Sequence, residues 1–173
     1  MRTSPALLLA ALALLVLPAS SAARTDAASV IAKFEQKDPG MAKIFADAYG
    51  YAVFPTVAKG GLGIGGARGK GEVFERGGKV GTSTLTQVTV GLQLGGQAYS
   101  EVIFFKDRAA LDDFRRGNFE FDAQVSAVAL TARASRDLAY DKGVAIVTMA
   151  KGGLMYEASV GGQKFSYKPA GKK

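Results

Sequence analysis

Basic side chains set among glycines are the first chemistry this sequence offers. Lys59, Arg68, Lys70, Arg76 and Lys79 fall in one glycine-rich stretch, offset only by Glu72 and Glu75. The tail adds Lys164, Lys168, Lys172 and Lys173, with no acidic residue from Gln163 onward. Charge at this density suits an anionic partner. The whole chain agrees, with 22 basic residues against 15 acidic ones, a net charge of +7 and a pI near 9.7.

Catalytic chemistry is poorly supplied. Histidine and cysteine are absent, which leaves no thiol nucleophile, no imidazole-based triad and no Cys/His metal site. The paired carboxylates are Asp112-Asp113 and Glu120/Asp122. The second pair shares one side of an alternating segment, and its place opposite Phe119 and Phe121 already explains it as a solvated face. Gly61-Leu62-Gly63-Ile64-Gly65-Gly66 satisfies the G-x-G-x-x-G spacing. A dinucleotide site needs a helix after that loop, whereas Glu72-Val73-Phe74-Glu75 continues as strand. A Walker A loop fails because Lys70 is followed by Gly71 rather than Ser or Thr. No catalytic residue, metal or cofactor is expected. Nucleic acid is not an expected partner either, because no aromatic–basic recognition motif accompanies the charge.

The elements that must position the basic residues begin after an N-terminal leader. Arg2, the 12-residue apolar run Ala6–Leu17, Pro18 and the small residues Ala19–Ala23 have the layout of a secretory signal peptide. The run is shorter than the roughly 20 residues a bilayer-spanning helix needs. The expectation is a signal peptide at 1–23 and a single domain at 24–173. The product would be exported, periplasmic in a Gram-negative bacterium, and associated at most peripherally with a membrane.

Ala27, Val30, Ile31 and Phe34 make one helical stripe, and Met41, Ile44, Phe45 and Ala48 make a second, with Asp38-Pro39 between them. From Tyr51 the period becomes two. Val88, Val90, Leu92 and Leu94 alternate with polar residues, while Ser83 and Leu85 sit on the opposite parity, so a bulge near Thr86 or Gln87 is expected. Tyr99–Phe105 reads as strand. Asp107–Arg116 reads as a short helix capped by Asp107 and stopped by Gly117. Phe119–Ala129 reads as one long half-buried strand, followed by strands at Val144–Ala150, Leu154–Val160 and Lys164–Tyr167. Gly77-Gly78 and Gly161-Gly162 read as hairpin turns. Ala58-Lys59-Gly60-Gly61-Leu62 recurs as Ala150-Lys151-Gly152-Gly153-Leu154, which pairs Lys151 with Lys59. The fold class is therefore α+β: a strongly curved, glycine-rich antiparallel sheet or small barrel, with two short N-terminal helices and one mid-chain helix.

Several motifs in order resemble the SYLF domain: Val53-Phe54-Pro55, Lys59 to Gly66, Gly95 to Phe105, Gly117 to Phe121, and Lys151 to Met155 through Gly161 to Phe165. The resemblance runs from about Asp26 to Tyr167. It implies a non-enzymatic lipid-binding domain, with phosphoinositides and membranes as ligands of eukaryotic members and actin as a partner of some. An exported chain would not meet actin. The expected partner is anionic phospholipid at a membrane surface. Lys59, Arg68, Lys70, Arg76, Lys79 and Lys151 are the candidate headgroup ligands. Val30, Ile31 and Phe34 are the candidate insertion stripe, unless that stripe caps the sheet as core. The alternative function is a carrier that encloses an apolar or lipid ligand within the curved sheet.

Overall fold

A computed structural model of the chain describes residues 26–62, 64–90, 96–117, 119–121, 127–152 and 160–171. The expected leader and most of the strand expected at 154–160 lie outside them. In chain order the elements are α1 (Ala27–Lys37), α2 (Gly40–Asp47), β1 (Gly50–Leu62), β2 (Ile64–Glu75), β3 (Gly78–Val90), β4 (Gly96–Phe105), α3 (Arg108–Arg115), β5 (Phe119–Glu120), β6 (Val128–Ala129), α4 (Ala134–Asp137), β7 (Val144–Ala150) and β8 (Gln163–Pro169). The strands form one open sheet in the order β5-β8-β3-β2-β1-β4-β7-β6. The fold is α+β with a curved sheet, as the sequence leads one to expect. The sheet is mixed rather than wholly antiparallel, because β6 runs parallel to β7.

The curvature follows from contacts across the sheet. Four strand spacings separate β8 from β4, about 19 Å in a flat sheet. Yet Gln163 Nε2 on β8 lies 3.0 Å from Glu101 Oε2 on β4. Phe54 on β1 and Phe165 on β8 likewise bring ring centroids to 5.6 Å across two intervening strands. Glycine permits this roll: Gly69 and Gly71 on β2 are buried where an added Cβ would strike Val57 and Phe54. The register breaks in β1 between Val53 and Val57, around Pro55, whose missing N–H cannot serve a ladder.

Two cores result. Inside the roll, Phe54, Phe105, Phe114, Phe121 and Phe165 pack with Leu85, Ile103 and Leu111. On the outer side, α1, α2 and α4 cover Tyr51, Val53, Val102, Phe104, Ala145 and Val147. Asp26 caps α1 by accepting from Ser29 N at 2.7 Å. Val30 and Phe34 then lie fully buried, and Ile31 packs at the edge of this second core. The Phe45 ring joins Phe34 at 6.5 Å to Phe104 at 5.0 Å. In this fold the first stripe is core, and Val30 and Phe34 present nothing to a membrane. The helix α3 follows its local signals: Asp107 Oδ1 accepts from Ala110 N, Leu111 and Phe114 are buried, and Gly117 has φ +85°.

Three strand expectations need correction. No bulge occurs near Thr86. The β3 register with β8 is regular from Gly81 to Gln87, so Ser83, Leu85 and Gln87 point inward while Thr86 and Val88 point out. The described parts of Phe119–Ala129 are not one strand, because β5 joins β8 at one edge of the sheet and β6 joins β7 at the other. The β2–β3 hairpin turns at Arg76-Gly77, one residue earlier than expected, with both residues at positive φ, as a type I′ turn requires.

Candidate anion-binding surface

Alternation on the rolled sheet scatters the basic residues that the sequence groups together. Lys59 shares the inner parity of Val57 and Ala67 and sits half-buried at one end of the roll, where burial lowers its pKa. Arg68 and Lys70 point the other way and are exposed. Arg76, in the turn after β2, and Lys79, which pairs with Phe74, lie seven or more residues along β2 from the Lys59 pairing partner Ala67, which is about 23 Å of strand. Both are engaged there. Arg76 lies 5.1 Å from the Tyr49 ring centroid, and Lys79 pairs with Glu72 at 2.9 Å. Tyr49 in turn donates to Glu75 at 2.8 Å, and Arg115 Nη2 reaches the other carboxylate oxygen at 2.7 Å. The Arg115 hydrogen bond, seconded by that of Tyr49, holds the Glu75 carboxyl below its usual range. Lys151 lies beyond β7, where Nζ donates to Thr56 Oγ1 at 2.7 Å and its backbone N–H bonds to Ala98 O. The two echoed segments thus flank β4 on either side.

What the fold does assemble is a different set. Arg68, Thr86 and Lys164 stand in one row across β2, β3 and β8; Lys70, Thr84 and Ser166 form the next; Glu72, Thr82 and Lys168 the third. All nine side chains are on the outer face, seven of them exposed and Glu72 and Thr84 partly so. Glu72 is tied to Lys79, and Glu120 reaches Lys164 at 3.4 Å. Lys70, Lys168 and the hydroxyls of Thr82, Thr84 and Ser166 line a trough of about 540 Å³ that also meets Asp26 at the start of α1. At the hairpin end of the same face stand Ile64 and Val88, 72% and 77% exposed, the only large apolar side chains so exposed among the described residues. The register sets them diagonally across β2 and β3, next to Arg68 and Thr86. The Lys164 and Lys168 contributions lie too far from the glycine-rich stretch in sequence for spacing to reveal them. Their alternation with Phe165 and Tyr167 is the only signal.

The carboxylates considered for catalysis are surface partners. Asp112 meets Arg108 and Arg115, and Asp113 meets Arg116 at 3.0 Å. Glu120 is exposed, and Asp122 lies outside the described residues. No group of three or more His, Cys, Asp or Glu residues able to hold a metal occurs among the described residues. A carboxylate that spacing did not single out is the chemically unusual one. Glu101 is fully buried inside the roll, where Gln163 Nε2 donates to it and, at 3.1 Å, to Tyr99 OH. Glu101 Oε1 and Gln163 Oε1 have no partner, so two acceptors are left without a donor while the carboxyl is ionised. Burial pushes the Glu101 pKa up to about 7 and raises that of the Tyr99 phenol. The trio fastens β8 to β4. The sign was visible in the sequence: a lone acid at a core parity before Val102-Ile103-Phe104-Phe105.

The segment that supplies Lys164, Lys168, Glu101 and Gln163 also carries the family signature. Residues 86–170 match the family model described as Ysc84, Las17-binding protein actin regulator. This segment belongs to the Ysc84 family, the SYLF domain. A curated relative, Beta cell expansion factor A of Aeromonas veronii, is 31% identical over 147 residues. The match takes in 83% of this chain and 55% of that protein, so this chain spans about half the length of the relative. Among the described residues no helix is long and apolar enough to cross a membrane.

Proposed function

We propose that this SYLF domain is a non-enzymatic module that docks on an anionic phospholipid surface through the open outer face of β2, β3 and β8. The observation that carries the reading is the uncovered grid of Arg68, Lys70, Lys164 and Lys168 among threonine and serine hydroxyls. Each such cation near an anionic membrane contributes about 1 kcal/mol, and ammonium or guanidinium groups beside hydroxyls suit phosphate oxygens. Ile64 and Val88 supply a small apolar wedge at the edge of the grid. Lys59, Arg76, Lys79 and Lys151 support the overall positive field, not this contact. Export to a periplasm, with residues 1–23 removed, would put the domain beside such lipids and away from actin. The Las17-binding and actin role in the family description is therefore not extended to this chain. Aromatic side chains fill the interior of the roll, which favours outer-surface binding over the carrier alternative.

The test is sedimentation of the purified chain with phosphatidylglycerol vesicles against neutral phosphatidylcholine vesicles. The expected result is binding to the former only, weakening as salt rises and the Debye length falls below about 8 Å. Equal binding to both, or binding insensitive to salt, contradicts the proposal.

A further inference from the structure

The β6–β7 edge of the sheet is only partly closed. β6 pairs with Val147 and Thr148 alone, and its ladder ends where Leu130 N donates to Thr148 O at 2.7 Å. β7 runs on to Ala150. Lys151 N donates to Ala98 O on β4 at 2.9 Å, in the antiparallel register that sets Ala150 against Tyr99. Backbone groups alternate sides along a strand, so the N–H and C=O of Ala150 face the other way, past the end of β6. Ala150 is exposed, and among the described residues no strand pairs with it on that side. The opening is a groove of about 490 Å³, walled by Lys33, Gln36 and Lys37 of α1 and floored by Leu130 and Met149. Lys33 and Lys37 are exposed one helical turn apart, and among the described residues neither has a carboxylate within ion-pair distance. Like charges at i and i+4 repel, so this wall favours an anionic neighbour.

We infer that this edge takes up an extended acidic segment of a partner protein, which pairs antiparallel with Ala150 and sets two carboxylates, one on each side of the paired residue, against Lys33 and Lys37. Residues paired across antiparallel strands share a face. Ala150 has the inner parity of Ile146, whereas Met149 has the outer parity of Val147, which faces the helices. The segment residue opposite Ala150 therefore points away from α1, and its two neighbours point towards it. Those neighbours lie about 6.8 Å apart in a strand, and Lys33 and Lys37 lie about 6 Å apart along the helix. The recognition pattern is acidic, any residue, acidic. Backbone bonds to a free sheet edge supply affinity, and the alternating side chains supply the choice of partner. This groove meets the second half of α1, whereas the trough on the open face meets its start. The inference therefore does not rest on the proposed lipid contact, and either can fail alone.

Amide NMR titration of the full chain with an acetylated and amidated Thr-Glu-Val-Glu-Thr peptide tests it. The expected result is saturable one-to-one binding that moves the Ala150 amide signal. Glutamine in place of both peptide glutamates, or Lys33→Gln/Lys37→Gln in the protein, should each weaken binding about tenfold or more. Lys33→Arg/Lys37→Arg should largely retain it. N-methylation of the peptide valine deletes the N–H that meets Ala150 O and should weaken binding by a similar factor, which charge attraction alone would not do. Both lysines are exposed, so an unchanged melting temperature reports that the variants are folded. An Arg68→Gln/Lys70→Gln/Lys164→Gln/Lys168→Gln variant should bind the peptide like wild type. No saturable binding, equal affinity for the glutamine or N-methyl peptide, or equal affinity in the Lys33/Lys37 glutamine variant would each overturn the inference. So would a Lys33/Lys37 glutamine variant that loses phosphatidylglycerol vesicles but keeps the peptide, since the groove would then belong to the lipid contact.

Discussion

The two halves of the sheet solve burial differently. In β4 and β7 consecutive residues are buried on both faces: Val102 and Phe104 under the helices, Ile103 and Phe105 inside the roll, with Ala145 to Val147 matching them. In β2, β3 and β8 only one face is buried, and the other carries Arg68, Lys70, Lys164, Lys168 and three threonines in open water. A continuous apolar run demands cover on both sides, and α1, α2 and α4 provide it. A strictly alternating strand needs no cover on its polar side and leaves that surface free for an external partner. The covered half sets stability, and the open half is the one proposed to meet lipid.

The sharpest way to break this division is a charge placed under the helices. Phe34→Asp puts a carboxylate with no partner between α1 and the sheet, and should cost several kcal/mol in chemical denaturation, at least the roughly 3–5 kcal/mol of a large-to-small core change. A variant of near wild-type stability would mean that α1 does not pack there and would return its stripe to the membrane.

The second test concerns the polar fastening inside the roll. The folded-state pKa of Glu101, about 7, lies above the ordinary glutamate value of 4.5. The folded chain therefore keeps a proton that the unfolded chain releases first. The stabilisation is complete below about pH 4.5 and is lost as pH rises through about 7. Glu75, Asp26 and Asp38 are shifted downward, and their contributions fade only at pH below the usual carboxylate range. Glu101→Gln should raise stability at pH 8 by an amount on the order of 1 kcal/mol or more and flatten the decline between pH 5 and 8. Urea midpoints across that range report it, and a variant with the wild-type slope would place the titration elsewhere.

The smallest effect belongs to the apolar wedge. Ile64→Ser/Val88→Ser removes two exposed side chains, so stability should move by no more than about 0.5 kcal/mol. Affinity for anionic vesicles should fall severalfold, since each side chain inserts only part of its surface. A large loss of stability would show that these residues are covered in the folded protein.

How much of this could be read in advance depended on how local the signal was. The helix α3 is legible to its cap and stop, because Asp107, Leu111, Phe114 and Gly117 each act within about one turn of the next. The stripe of α1 was legible as a stripe, but its partner was not, because the same spacing serves a membrane or a sheet. Val88 points outward although its apolar character suggests burial, because the β3 register runs unbroken from Gly81 to Val90. The basic set was only half recovered. Arg68 and Lys70 were found, but Lys164 and Lys168 join them only through β8, and Arg76 and Lys79 leave them because the hairpin carries these residues to the other end of the sheet. The Glu101 contact with Gln163 spans 62 residues and four strand spacings, and it exists only because the sheet rolls.

A charge-matched comparison tests the central division most directly. Arg68→Gln/Lys70→Gln/Lys164→Gln/Lys168→Gln removes four positive charges from the open half. Lys43→Gln/Lys106→Gln/Arg108→Gln/Arg136→Gln removes the same number from exposed positions outside that face. In sedimentation with phosphatidylglycerol vesicles the first variant should lose about a hundredfold or more in affinity, at roughly 1 kcal/mol per cation, while the second stays within a few-fold of wild type. Equal losses in both would mean that net charge alone attracts the protein to lipid, and would contradict the assignment of recognition to the uncovered face of β2, β3 and β8.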